Sequence, residues 1–216
     1  IVVSPNFSYP DMKKLAGAIL VAIVFWFVMF SQWTSPHINF WYVMLAAAGT
    51  LTALSFLFRK DWKAEFSFNI KDVALGVGSA IVLWGVFYLG NAISGMLFDF
   101  AHPQVSDVYA MKDGQSKLFL ALALLFWIGP AEEIFWRGYV QRSLSESKLG
   151  SMKAYIITTL IYAFVHIWAF NFMLFMAAFI CGAFWGFIYM KNRNLLTVLI
   201  SHAIWDVAVF ILFPIS

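Results

Sequence analysis

The sequence predicts an all-α fold: a polytopic transmembrane helical bundle of about seven spans, with the N-terminus inside. Three observations carry this expectation. Of 216 residues, 62% are hydrophobic, 19% aromatic and 12% charged, whereas soluble domains carry roughly 25% charged residues and are about half apolar. Apolar runs of about 20 residues, the length that crosses a bilayer at 1.5 Å per residue, recur along the chain. Threaded in alternate directions, these runs leave nearly all the basic residues on one side. The net charge of +3 is small and follows from that placement, so it gives no pointer to nucleic acid. The lipid bilayer is the partner that the composition implies.

Taken in order, the spans are read at 15–33, 38–58, 73–98, 117–139, 153–169, 171–190 and 195–213. The fifth is the shortest, and its boundary with the sixth falls at Ala169–Asn171. No long polar segment or internal repeat interrupts them, so residues 1–216 read as one integral membrane domain. The segment RKDWKAEFSFNIKD (59–72) mixes basic and aromatic residues, as a segment on the membrane surface does. The chain starts at Ile1 rather than Met, so further N-terminal sequence is expected. The first apolar run is long enough to span and does not read as a cleaved signal peptide. Cys181, the only cysteine, lies within an apolar run and is expected to serve as a small packing residue. Gly182 and Gly186 form a small-xxx-small pair suited to close helix packing.

Orientation follows from the cations. With the N-terminus inside, Lys13, Lys14, Arg59, Lys60, Lys63, Lys71, Arg137, Arg142, Lys148, Lys153, Lys191 and Arg193 are cytoplasmic, and only Lys112 and Lys117 are external. Merging or splitting a span would destroy that bias, so the count and the orientation support each other.

Few ionisable groups remain at membrane depth, where each is costly to hold. They are Glu132, Glu133 and Arg137 in the fourth span, His166 in the fifth, and His202 with Asp206 in the seventh. Glu133 and Arg137 are four apart, on one helix face and in the favourable acid-before-base order. His202 and Asp206 repeat the spacing, so the carboxylate is placed to hold the imidazole in one tautomer. Tyr162 and His166 repeat it again, with a phenol one turn from the second histidine. Pro130 removes a bond to the Phe126 carbonyl, so a kink is expected just before the glutamates. All these groups are expected to meet in one cavity open toward the cytoplasm.

Each pair also has a structural reading. Glu133–Arg137 can be a salt bridge bracing the fourth helix, His166 an interhelical hydrogen-bonder, and His202–Asp206 glue between helices. Glu132 resists that treatment, because Arg137 comfortably neutralises one neighbouring acid, not two. An acid left over beside two imidazoles is a general-base candidate.

The order Glu-Glu-x-x-x-Arg (Glu132, Glu133, Arg137), aromatic-x-x-x-His (Tyr162, His166) and His-x-x-x-Asp (His202, Asp206) resembles the CPBP family. These are the CAAX proteases and bacteriocin-processing (Abi) proteins, related to the type II CAAX prenyl endopeptidases. The resemblance covers about 117–213, a motif-bearing core. There are two departures: Tyr162 stands where the family more often has Phe, and Asp206 where the prenyl endopeptidases have Asn. An Asn amide can donate to an oxyanion, whereas an ionised Asp only accepts.

The resemblance implies an intramembrane glutamic endopeptidase. Glu132 and His166 would activate a water, His202 held by Asp206 would stabilise the oxyanion, and Glu133 would brace the site through Arg137. No cofactor is expected. The metal-dependent alternative would place Zn²⁺ on Glu132, His166 and His202, although the His-Glu-x-x-His signature is absent. The implied partner is a peptide or membrane-protein substrate, lipidated in the CAAX case, or a leader peptide. The expected location is a prokaryotic plasma membrane, with the site facing the cytoplasm. The competing class is a non-enzymatic immunity or scaffold protein.

Overall fold

A computed structural model describes residues 10–215. Among these residues there is no strand. Seven helices are long and apolar enough to cross a membrane: α1 (Met12–Phe30), α2 (Phe40–Phe58), α3 (Ile70–Leu97), α5 (Lys117–Glu146), α6 (Gly150–Ala169), α7 (Phe172–Asn192) and α8 (Leu195–Leu212). An additional short helix, α4 (Ala101–Ala110), follows α3. It occupies much of the connection between the spans read at 73–98 and 117–139.

Helix starts are written locally. Asp11, Asn39, Asn69, Ser116, Asn171 and Asn194 each accept a backbone N–H of the first turn, at α1, α2, α3, α5, α7 and α8 respectively. These short polar side chains satisfy donors that the helix leaves orphaned. The boundary expected at Ala169–Asn171 is set by Phe170, whose φ of 49° ends α6 in the left-handed region, one residue before the Asn171 cap.

Inter-helix hydrogen bonds define two faces. On one, Asn194 bonds Ser67, Asn192 bonds Asp72 and Arg59 bonds Glu146; this is the basic face. On the other, Trp41 bonds the Met111 carbonyl, Asn171 the Gln104 carbonyl and Lys112 the Phe210 carbonyl; this is the α4 face. Leu20, Ile81, Leu89 and Met96 are among many apolar side chains left exposed. In a chain with seven such helices they are the lipid-facing surface.

Small residues let the backbones approach. A Cβ on Gly76 of α3 would lie 2.9 Å from the Thr197 carbonyl of α8, and Ser79 bonds Ser201 nearby at 2.9 Å. The Gly182–Gly186 pair packs as expected: added Cβ atoms would meet Tyr162 at 3.0 Å and Tyr155 at 3.1 Å. Cys181 is buried and unpaired.

Three sequence expectations need correction. The fourth span runs to Glu146, not 139. Arg142, placed beyond the end of the fourth span, lies within that helix and is 6% exposed, and Arg137, read at depth in the span, is 1% exposed; carboxylates meet both inside the bundle. The segment 59–72 does not lie wholly on the membrane surface. Its short 3-10 turn at Trp62–Glu65 tucks in, with Trp62 and Glu65 both buried.

Candidate active site

The local backbone of α5 is unusual around the glutamates. Pro130 has no N–H to donate, and the helix widens to π geometry at Leu124–Ile128 and again at Ile134–Gln141, with a single α segment at Gly129–Glu133 between. The disturbance expected from Pro130 therefore takes the form of π turns on both sides of the acids. Gly129 lets the segment press against α8: a Cβ there would sit 3.1 Å from Ala203 Cα.

The two acids diverge completely in environment. Glu133 is fully buried. Its Oε1 accepts from Arg137 Nη1 at 2.7 Å and lies 2.7 Å from His202 Nδ1. Arg137 Nη2 continues to the carbonyls of Cys181 and Gly182, at 3.4 and 3.3 Å. Glu132 is only half-buried, and its Oε2 accepts from the Tyr162 hydroxyl at 2.8 Å. The hydroxyl that separates Tyr162 from the commoner Phe is thus the atom holding Glu132.

His202 is oriented differently from the sequence expectation. Its close partner is Glu133, whereas Asp206 Oδ2 stands 3.5 Å from Nε2, too long for a good hydrogen bond. The ring stacks on Trp185 with centroids 3.8 Å apart. The indole of Trp185 is itself fixed by Ser201 at 3.1 Å. Glu133 therefore does more than brace Arg137: it links the guanidinium to the imidazole.

His166 is engaged at both nitrogens. Trp26 Nε1–H donates to Nε2 at 3.0 Å, and Nδ1 lies 2.8 Å from the Tyr162 carbonyl. An N–H donated to Nε2 leaves the proton on Nδ1, which fixes the neutral tautomer by its partners. The expectation that His166 shares water activation with Glu132 therefore meets a ring whose free lone pair is already used. Among the described residues no three His, Cys, Asp or Glu side chains gather as a metal-ligating set. With Nε2 of His166 taken by Trp26, the set Glu132, His166 and His202 does not form in this geometry.

Glu132, Tyr162, His166, His202 and Asp206 all line one cavity of about 410 Å³. The sequence reading brought the right three helices together, and the cavity they line extends toward the α4 face. The walls are the α4-side halves of α1, α2, α3, α7 and α8, and they include Val105, Val108 and Tyr109 of α4. No lining residue comes from the basic face. The reason is packing: beyond Glu133 the bundle is filled by Phe135, Trp136, Arg137 and Val140, none more than 1% exposed. Sequence reasoning missed Trp26 and Trp185, because a tryptophan inside an apolar span carries no signal that distinguishes it from lipid-facing aromatics.

Residues 114–208 match the family described as type II CAAX prenyl endopeptidase Rce1-like. The matched stretch contains all three motifs, from Glu132 to Asp206, and leaves out α1 to α4. No curated protein and no solved structure matches the chain.

Proposed function

We propose, from the match of residues 114–208 to the Rce1-like family of type II CAAX prenyl endopeptidases, that this integral membrane protein is an endopeptidase that hydrolyses a peptide bond within the bilayer. The observation that supports it best is Glu132: a carboxylate in the cavity wall, tethered by one phenol and neutralised by no cation in hydrogen-bond contact. One oxygen is held by Tyr162, which leaves the other to take a proton from a cavity water. That water attacks the scissile carbonyl. His202, anchored at Nδ1 by Glu133 and stacked on Trp185, is the candidate to donate Nε2–H to the developing oxyanion in its protonated form. Asp206 flanks that nitrogen at 3.5 Å and adds negative charge beside it, in place of the amide donor that the prenyl endopeptidases carry. His166 acts as a positioning residue, locking Trp26 and the end of α6 against the cavity. No metal enters this reading, so cleavage should survive strong chelation.

The test is cleavage of a peptide library in detergent by the wild type, Glu132→Ala and His166→Ala. Glu132→Ala should abolish detectable turnover while the protein stays folded. A Glu132→Ala variant that cleaves at near the wild-type rate removes the proposal. An immunity or scaffold role that survives Glu132→Ala, with no cleavage by the wild type, would identify the non-enzymatic class instead.

A further inference from the structure

Two observations about the cavity and its surroundings combine. The first is that the basic face is sealed. Arg142 is bonded to Glu65 at 2.8 Å and Glu146 at 2.9 Å, and also pairs with Asp61. Arg59 reaches the same Glu146 at 2.8 Å, and the Tyr189 hydroxyl donates to Glu65. Gln141 closes on the Gly186 carbonyl at 2.8 Å. The Trp62 ring lies so close to Gly138 that a Cβ there would meet it at 2.7 Å. Opening a path to Glu132 from this side would break a buried ionic cluster and uncover charges, each costly to leave unpaired.

The second observation is that the chamber extends the other way, and its wall is not purely hydrocarbon-like. Asn91 and Ser94 of α3 line it. Asn91 Oδ1 and, across the chamber lining, Trp205 Nε1 are buried without a hydrogen-bond partner. Unpaired buried polar atoms are rare enough to need an explanation. An acceptor and a donor in the chamber lining complement the N–H and C=O of an extended peptide backbone, which an acyl chain lacks. Asn91 precedes the matched stretch, whereas Trp205 lies within it.

The distribution of cations then assigns the faces. Once Arg137 and Arg142 are removed as buried, the basic face still carries ten of the remaining lysines and arginines, against Lys112 and Lys117 on the α4 face. Cations of short loops are retained on the cytoplasmic side. We propose that this site receives its substrate as an extended polypeptide segment from the α4 face, on the extracytoplasmic side of the membrane. This rests on the protease reading above and deepens it by naming the side and the form in which the substrate arrives.

The experiment places single cysteines in a Cys181→Ala background: Ser94→Cys or Met173→Cys in the chamber wall, and Lys148→Cys on the basic face as reference. A membrane-impermeant maleimide is applied to intact cells and to everted membrane vesicles. The expected result is that the chamber cysteines label in intact cells and Lys148→Cys labels only in everted vesicles. Outside labelling of a chamber cysteine should also abolish library cleavage by that variant after solubilisation. Chamber labelling from the same side as Lys148→Cys overturns the proposal. So does failure to label from either side, since it leaves the chamber closed to water. Because labelling does not depend on turnover, it separates this proposal from the proposed chemistry. A chamber reached from the Lys148 side, with cleavage still lost in Glu132→Ala, would leave the protease reading standing and this one refuted.

Discussion

The two halves of α5 carry charges of the same kinds and use them in opposite ways. Toward the basic face, Arg142 is enclosed by carboxylates from the 59–69 segment and from its own helix and is 6% exposed. Toward the α4 face, Glu132 has one phenolic partner and opens on a cavity of about 410 Å³. Glu133 and Arg137 lie between and belong to both, as the ion pair that ends the packed region and as the anchor of His202. What separates a clamp from a reactive group is the number of partners each charge has. A buried charge enclosed by counter-charges is structural, and one that faces an open cavity is placed to act on a substrate.

The sharpest way to test that contrast is to neutralise each acid in turn. Glu132→Gln preserves shape and a contact to Tyr162 but removes the base, so cleavage should fall by about 10²–10⁴-fold with the thermal midpoint in detergent nearly unchanged. Glu133→Ala strands Arg137 in a dry interior and should cost about 3–5 kcal/mol of stability, read as a large drop in the same midpoint. If the two effects were exchanged, the division of labour along α5 would be wrong.

Smaller perturbations refine it. Gly138→Ala drives a methyl into the Trp62 ring, which is held by its own indole bond to the Arg59 carbonyl at 2.9 Å. An overpacking loss of about 1–3 kcal/mol is expected, confined to stability. Trp26→Phe deletes one hydrogen bond to His166 and should cost about 1 kcal/mol. A loss of cleavage in Trp26→Phe as deep as in Glu132→Gln would mean that the imidazole, not the carboxylate, moves the proton.

The smallest effect concerns Asp61, on the rim of the clamp. Burial alone would raise its carboxyl pKa, but the guanidiniums of Arg59 and Arg142 hold it below the usual carboxylate range. A depressed folded-state pKa stabilises above the unfolded value of about 3.9 and loses that contribution as pH falls through the folded one. Asp61 is 61% exposed along its side chain, so screening limits the gain to under about 1 kcal/mol. Asp61→Asn should therefore lower the unfolding midpoint slightly at neutral pH, and the difference from wild type should vanish in acid.

Much of this was legible from the residues alone. The spans could be counted because a bilayer imposes one length on every helix, and the boundaries found by counting lie within a few residues of most of the observed ones. The pairs Glu133–Arg137 and Tyr162–His166 could be placed because residues four apart share a helix face. Three features could not be read. His202 chose Glu133, 69 positions away, over Asp206 on its own helix. His166 found Trp26 across 140 positions. Glu65 of the 59–69 segment turned inward to meet Arg142, with Asp61 at the rim. Nothing in the spacing said that Glu65 and Arg142, 77 positions apart, would meet.

The sequence by itself determined the spanning helices, their number, the lipid as solvent and the short set of ionisable groups worth placing at depth, because each follows from local periodicity or from the cost of charge in hydrocarbon. Only the tertiary structure decided which carboxylate holds which imidazole, which acid faces the cavity, and at which end the bundle stays hollow. Those outcomes depend on how the rotations of seven helices about their axes are settled together by packing, and no single helix carries that information.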